Sequence, residues 1–282
     1  AALALFAGDA QAQFSRNTSA IPSGSTFNGQ PTENVDFGDV DGDGDWDAIF
    51  ADGGDFFDTQ DRIWINQGGL QGGTLGVFMD ETSTRFPTID QGGRDIEFVD
   101  LDDDGDLDIY TSNTPQPSNQ SNRWWINQGG LQGGTAGFYV DDMSRWVNVG
   151  GAGSSVANSV ALPNGGFVDW SCDCDFGDID NDGDMDLVHS TYGGAFGGDA
   201  PTRLFLNDGT GHFEEFNPSG FKLSGTNISN GNPAIWAQGT QQSSTSNTNG
   251  TFADVASTAL DIDLGDTDGD LDLDLLHGAR EE

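Results

Sequence analysis

Apolar residues come in short runs separated by glycine-rich and acidic stretches, a pattern that indicates strands rather than helices. One set of runs follows directly on aspartate-rich segments, at 48–50, 109–110, 187–188 and 275–276. An acid, an apolar residue and a small residue precede the same segments, at 36–38, 97–99, 175–177 and 263–265. Each aspartate-rich segment is therefore predicted to lie between two β-strands.

Two more apolar runs recur in the same order after each of the first three segments. The first has arginine at its start and asparagine at its end, at 62–66, 123–127 and 203–207, and the second lies at 77–78, 138–139 and 212–213. Residues 65–74 recur letter for letter as 126–135. Successive segments begin 61, 78 and 88 residues apart (100 − 39, 178 − 100 and 266 − 178). Repeated units of several short strands predict a propeller or solenoid array, and the widening gaps indicate insertions in surface loops.

The four aspartate-rich segments, at 39–47, 100–108, 178–186 and 266–274, predict cation-binding loops. Carboxylates at positions 1, 3, 5 and 9, with a backbone carbonyl at position 7, can surround one hard cation, and glycine at position 6 permits the sharp turn. Calcium fits better than magnesium, which loses water reluctantly and requires a stricter octahedron. The candidate ligands are Asp39, Asp41, Asp43, Asp45, Asp47, Asp100, Asp102, Asp104, Asp106, Asp108, Asp178, Asp180, Asp182, Asp184, Asp186, Asp266, Asp268, Asp270, Asp272 and Asp274.

Solvated turns are the alternative to metal loops, but four copies in the same phase argue against them, and such dense like charge requires a counter-ion. In the fourth copy Leu271 replaces the glycine of position 6. A shifted register would restore Gly269 there but would place Leu264 at position 1, so the first register is preferred. The loops differ from EF-hands, whose position 12 is a bidentate Glu. The residues found at that position are Phe50, Thr111, His189 and His277.

These loops, together with the arginine-to-asparagine strand, resemble FG-GAP/VCBS-type repeats, the calcium-binding blades of integrin-α-like β-propellers. The resemblance covers roughly residues 13–280. It implies an all-β fold of four-stranded antiparallel blades in a single domain, 13–282, with calcium between the first two strands of each blade. Such propellers usually carry seven blades, whereas this chain has four calcium loops.

The segment 14–22 resembles 78–87, the end of the first unit, while the last unit shows only its loop and first strands. An N-terminal strand is therefore expected to complete the last blade. It would come from the same chain, closing a small propeller, or from a neighbouring subunit, extending a fibre by strand donation. An incomplete chain is the third alternative.

Net charge is −38, and the loops hold 21 of the 47 acids. Four bound calcium ions would reduce this charge to −30. Nucleic acid is excluded as a partner and anionic membranes are disfavoured, because both require basic surface. A calcium-rich extracellular or cell-surface location is expected. Residues 1–12 are an apolar segment, read as the tail of a secretion signal or as a packing strand, and no segment predicts a membrane span.

Smaller features add candidate modifications. Cys172 and Cys174 could form a local disulfide or remain two buried thiols. The segments 150–166 and 224–251 are low-complexity inserts, expected to lie outside the repeat array. Glycosylation sequons occur at Asn17, Asn119, Asn227 and Asn249.

Catalysis is not expected, because the calcium loops account for the paired carboxylates and no nucleophile–base set stands out. The repeat phase of Trp64, Trp124 and Trp125 indicates core packing rather than sugar stacking. The sequence therefore predicts a non-catalytic structural or adhesive protein that self-associates, for example as a fibre. The alternatives are a monomeric closed propeller that binds a glycan or an extracellular protein, and an accessory module of a secreted polysaccharide-degrading enzyme.

Overall fold

The computed structural model describes residues 17–22, 31–54, 57–114, 121–147, 160–161, 167–168, 171–191, 203–215 and 259–279. These residues form mainly antiparallel β-sheets with very little helix, so the all-β prediction is confirmed. The strands are β1 Thr32–Gly38, β2 Asp47–Asp52, β3 Arg62–Asn66, β4 Phe78–Asp80, β5 Gly93–Val99, β6 Asp108–Asn113, β7 Arg123–Asn127, β8 Tyr139–Asp141, β9 Trp146–Val147, β10 Val160–Ala161, β11 Phe167–Val168, β12 Ser171–Gly177, β13 Asp186–Thr191, β14 Arg203–Asn207, β15 Phe213–Glu215, β16 Ala259–Gly265 and β17 Asp274–Ala279. The helical turns are α1 Thr82–Arg85 and three 3₁₀ segments, Gly69–Gln71, Gly130–Gln132 and Met143–Arg145.

Each predicted unit forms its own sheet. The first two units are four-stranded in chain order, β1 to β4 and β5 to β8; the third joins β12 to β15 with β9, and the fourth pairs β16 with β17. The first strand of every unit has the same register shift, between residues 32/34, 93/95, 171/174 and 259/261. A shared irregularity at one place in the four sheets marks the units as structural repeats. The four aspartate-rich loops connect the first two strands of each unit, as predicted.

The core lies between successive sheets. One cluster joins the first two units, with Ile49 and Trp125 among its members, and a second joins the second unit to the third through Trp124 and Phe213. Trp124 and Trp125 are almost fully buried, which confirms their assignment to the core. The ring of Trp124 stacks on Phe213, with centroids 4.4 Å apart. Because single sheets expose an apolar face, each unit requires its neighbour for stability.

The end of one unit also contacts the outer strand of the next. The strand β9 follows the second unit and pairs in parallel with β15 of the third, aligning Trp146 with Phe213. At the start of the described chain, the carbonyl of Ala20 accepts a hydrogen bond from the N–H of Phe78 in β4, at 2.8 Å. The described part of the N-terminal segment thus contacts the first unit, and completion of the last blade by this segment stays a prediction.

Acidic side chains on the first strands connect neighbouring units. The Asp36 carboxylate accepts from Phe98 N at 3.0 Å, and Asp175 accepts from Leu264 N at 2.6 Å. Asp173 likewise accepts from Ile262 N at 2.6 Å. Asp36 and Asp175 are equivalent positions of the first and third units, and each receives a backbone N–H of the following unit.

The two cysteines lie on β12, and no disulfide joins them. Both are buried, and the Sγ of Cys174 donates to Asp95 Oδ2 at 2.9 Å. Burial raises the pKa of the Cys174 thiol, and the nearby Asp95 carboxylate raises it further. Of the two alternatives, the structure therefore contains the two buried thiols and not the local disulfide.

Several sequence-based expectations fall outside the described residues. These are the apolar segment 1–12, the insert 224–251, the insert 150–166 except for β10, and the sequons at Asn119, Asn227 and Asn249. Asn17 is described and exposed, and its Oδ1 accepts from the N–H and hydroxyl of Ser19. Within the described residues, no helix has the length and apolar character needed to cross a membrane.

Candidate metal centres

The aspartate loops bring carboxylates together in all four units. In the first unit, oxygens of Asp39, Asp41 and Asp43 lie within 4.8 Å of one another, and Asp100, Asp102 and Asp104 repeat this arrangement in the second. The third and fourth clusters use position 9 in place of position 5: Asp178, Asp180 and Asp186, then Asp266, Asp268 and Asp274. Positions 1 and 3 therefore converge in every unit, and each cluster could hold one metal ion.

Position 1 shapes each loop through its own backbone. Asp39 Oδ1 accepts from Asp43 N at 3.0 Å, and Oδ2 accepts from Gly44 N at 2.9 Å. Position 6 then has a positive φ, which glycine adopts without strain: Gly44 has +93° and Gly105 +89°. These contacts join residues that are at most five positions apart in the chain, which explains why the sequence alone specifies the loop.

The fourth loop has the preferred register. Leu271 N donates to Asp266 Oδ2 at 3.1 Å, the contact that Gly44 makes with Asp39, so Leu271 occupies position 6. Its φ is +77°, in the left-handed region that an L side chain occupies at a cost of about 1 kcal/mol. The loop geometry therefore persists without its glycine.

Position 9 anchors the loop to the third strand. Asp47 Oδ1 accepts from Asn66 N at 2.8 Å, and Asp108 and Asp186 accept from Asn127 N and Asn207 N in the same way. Burial raises the pKa of Asp47 to about 7, that of Asp108 to about 8 and that of Asp186 to about 6. These acids stay ionised at neutral pH most readily if a cation lies beside them.

The asparagine that ends the third strand joins consecutive loops, a role that sequence reasoning missed. Asn127 Nδ2 donates to Leu107 O in its own loop and to Val40 O in the loop of the preceding unit, at 3.1 and 3.0 Å. Asn207 repeats both contacts with Met185 O and Leu101 O. The recurrence of asparagine at the end of each arginine-to-asparagine strand could have identified this role from the sequence.

Two buried arginines reach position 3, and the sequence analysis did not identify them either. Arg85 Nη2 lies 3.3 Å from Asp41 Oδ2, and Arg145 Nη2 lies 3.4 Å from Asp102 Oδ2. Arg85 also donates to Gly137 O, and Arg145 to Thr210 O, each in the following unit. The sequence contains only nine lysines and arginines, and two of the arginines follow the fourth strand of their units at equivalent positions. This recurrence could have identified them as functional residues.

The remaining oxygens of the first two loops fit a cation. Asp41 Oδ1 and Asp102 Oδ1 are buried and accept no hydrogen bond. Both carboxylate oxygens of Asp106 are also buried and accept none. Burial, together with the nearby Asp104 carboxylate, raises the pKa of Asp106 to about 7. Buried acceptors without donors are suited to bind a water molecule or an ion, and several negative acceptors together favour a cation. Hard oxygen ligands alone suit calcium, whose bonds of about 2.3–2.6 Å tolerate irregular geometry.

Position 7 differs between units. Asp45 is buried, while its counterparts Asp184 and Asp272 are progressively more exposed. Position 5 follows the same trend, since Asp43 is half-buried whereas Asp182 and Asp270 are exposed. The four loops therefore have one backbone plan but different access to solvent.

Comparison with known proteins supports one part of the chain directly. The family model for an FG-GAP-like repeat matches residues 39–111, from the start of the first loop to the strand after the second. No curated protein matches the chain. The match includes one complete repeat interval and shows an FG-GAP-like repeat in that part of the protein.

Proposed function

We propose that this protein is a non-catalytic extracellular repeat protein whose β-sheet units are stabilised by calcium and serve a structural or adhesive role. The observation that carries the proposal is the convergence of acids at equivalent positions of four units, with buried carboxylate oxygens that lack donors in the first two. The FG-GAP-like match over residues 39–111 supports an adhesion-type repeat module. The arrangement of the sheets as propeller blades belongs to the same proposal.

In this proposal calcium acts on folding rather than on a reaction. Each ion would neutralise the loop between the first two strands of a unit. The asparagines and arginines at the loops also contact the neighbouring unit. Occupied loops would therefore stabilise both the unit and its junction, so that binding free energy becomes folding free energy. The net charge of −38 suits a calcium-rich exterior, where bound ions reduce self-repulsion.

Isothermal titration of the chelator-treated chain with CaCl₂ tests this proposal. We expect saturable binding of several calcium ions per chain, with dissociation constants on the order of 10⁻⁴–10⁻³ M, as in extracellular modules. Magnesium at the same concentration should bind more weakly, because it demands a regular octahedron. A chain that is folded by circular dichroism and binds no calcium would contradict the proposal.

Self-association by strand addition is a second candidate, and the edge of β17 favours it. Within the described residues β17 pairs with β16 alone, whereas its counterparts β2 and β6 are paired on both sides. Its Leu276 is 66% exposed. An edge strand with open backbone groups can accept a strand from another chain.

Sedimentation velocity and negative-stain electron microscopy in millimolar CaCl₂ test the second candidate. Oligomers or fibres are expected, and substitution of proline for Leu275 should disrupt them by removing a backbone donor from the open edge. The N–H of Leu275 faces this edge because its partner on β16, Leu264, directs its own N–H to Asp175. The control is Leu75→Pro at an exposed turn position of the first unit, away from this edge, checked for folding by circular dichroism. A concentration-independent monomer would exclude self-association and favour a monomeric ligand-binding propeller.

A further inference from the structure

The first two loops are covered by a glycine-rich segment that the third unit lacks. In the first unit this cover consists of residues 68–73, between β3 and β4, and residues 129–134 repeat it in the second. The third unit connects β14 to β15 by the short turn 208–212. Among the described units, the two covers therefore distinguish the first two metal loops from the third.

The cover lies directly against the acids. Leu70 N donates to Asp43 Oδ2 at 2.8 Å, and Leu131 N donates to Asp104 Oδ2 at 2.6 Å. Gly69 has φ +34°, and a Cβ there would lie 2.1 Å from Asp43 Oδ2. Only glycine permits this approach of the backbone, which explains the paired glycines of the repeated sequence.

Each cover also supplies a glutamine to position 3. Gln71 Nε2 donates to Asp41 Oδ2 at 2.7 Å, and Gln132 Nε2 donates to Asp102 Oδ2 at 2.9 Å. The other amide atom, Oε1, is buried in both glutamines and accepts no hydrogen bond. The Oδ1 atom of Asp41 is likewise buried and accepts no hydrogen bond, and the Asp41 side chain as a whole is only 9% exposed. In both units, a neutral and a charged oxygen are thus buried together without a donor.

An ion explains this arrangement better than a hydrogen bond. The donors at position 3, the glutamine amide and the arginine, both contact Oδ2 and leave Oδ1 available. Amide oxygens are ordinary calcium ligands, and a ligand from a separate loop raises the coordination number without adding charge. The cover also excludes solvent from position 5, whose counterpart Asp182 is exposed in the third unit.

We propose that Gln71 and Gln132 are calcium ligands contributed by the covers, and that the first two sites consequently bind calcium more tightly and release it more slowly than the site of the third unit. The inference rests on the proposed calcium binding and adds two classes of site to it. The third site, whose Asp180 and Asp182 are exposed, would exchange its ion with the surrounding solution.

Stopped-flow mixing of the calcium-loaded full chain with a fluorescent calcium chelator tests the two classes. Wild-type protein should release calcium in a fast and a slow phase. The double variant Gln71→Met/Gln132→Met keeps the side-chain volume but removes the amide, and it should accelerate the slow phase by about 10- to 100-fold. The fast phase should be unchanged.

Gln67→Met/Gln128→Met is the matched control. Gln67 and Gln128 lie at the entry to the same segments, and their amides donate to the carbonyls of Ile65 and Ile126 rather than to the acids. The control should release calcium with wild-type kinetics. Equal acceleration in both double variants would show a general loosening of the segment and overturn the assignment.

Gln71→Glu/Gln132→Glu separates a ligand from a residue that only orients Asp41 and Asp102. Glutamate keeps the oxygen but cannot donate to the aspartate, so slow release should persist if the oxygen binds the ion. Release as fast as in the methionine variant would contradict ligation. A single release phase in wild-type protein would overturn the inference while leaving calcium binding intact, whereas a chain that takes up no calcium during loading would contradict the proposed function itself.

Discussion

Removal of calcium is expected to lower the melting temperature by about 5–10 °C for each site that is emptied. The estimate follows from stabilisation of about 2.7 kcal/mol per site when free calcium is 100-fold above the dissociation constant. For a chain of this size, 1 kcal/mol corresponds to about 2–4 °C. Differential scanning calorimetry in CaCl₂ and in excess chelator measures the difference, with MgCl₂ as the ion control.

The substitution Asp104→Asn tests whether the second loop contributes to the calcium-dependent rise in melting temperature. Asp104 belongs to the second acidic cluster, and its Oδ2 accepts from Leu131 N. The substitution should reduce the calcium-dependent increment by about one site's contribution. In chelator it should leave the melting temperature unchanged or raise it, because one like charge has been removed.

Asp103→Asn is the control within the same loop. Asp103 is exposed at position 4 with φ +55°, and Asn181 already occupies the equivalent position of the third loop with φ +61°. Calcium should raise the melting temperature of Asp103→Asn by as much as it raises that of wild type. Equal increments in Asp104→Asn and wild type would contradict the assignment of position 5 as a ligand.

Stability in saturating calcium is expected to fall as pH rises from 6 to 9, because carboxyls at the unit junctions are buried. Burial, together with the charges of Asp95 and Asp36, raises the pKa of Glu97 to about 9. Burial likewise raises the pKa of Asp173 to about 8. An acid whose pKa is raised by folding contributes full stability below its unfolded pKa, near 4, and loses it as pH rises through the folded value. Both groups therefore destabilise the folded chain most above pH 8.

Glu97→Gln should remove much of this dependence. The variant is expected to exceed wild type by about 2 kcal/mol in free energy of unfolding at pH 9, after allowance for partial exposure, and by about a third of that at pH 6. Urea denaturation at both pH values, in saturating calcium, measures the difference. Glu33→Gln, which removes the same charge from an exposed position on β1, should change neither value appreciably. A parallel pH dependence in Glu97→Gln and wild type would refute the assignment to Glu97.

Local contacts explain why the fold class and loop positions could be predicted. The Asp39 carboxylate captures N–H groups four and five residues further on, and the strands on either side are marked by short apolar runs. The repeated bulge, the β9–β15 pairing and the position of Ala20 could not be predicted in this way. They depend on how successive sheets pack, which a pattern of apolar positions does not specify.

The sequence by itself therefore determined the strands, the four acidic loops and the register of the fourth. Only the tertiary structure decided which carboxylate oxygens lie buried without donors, because their partners come from distant parts of the chain. Gln71 lies 30 residues from Asp41, Arg85 lies 44 residues from it, and Asn207 lies 106 residues from Leu101. Loop formation is a short-range property of the backbone, whereas the cover, the ion pairs and the junctions arise when separate units bury their apolar faces against each other.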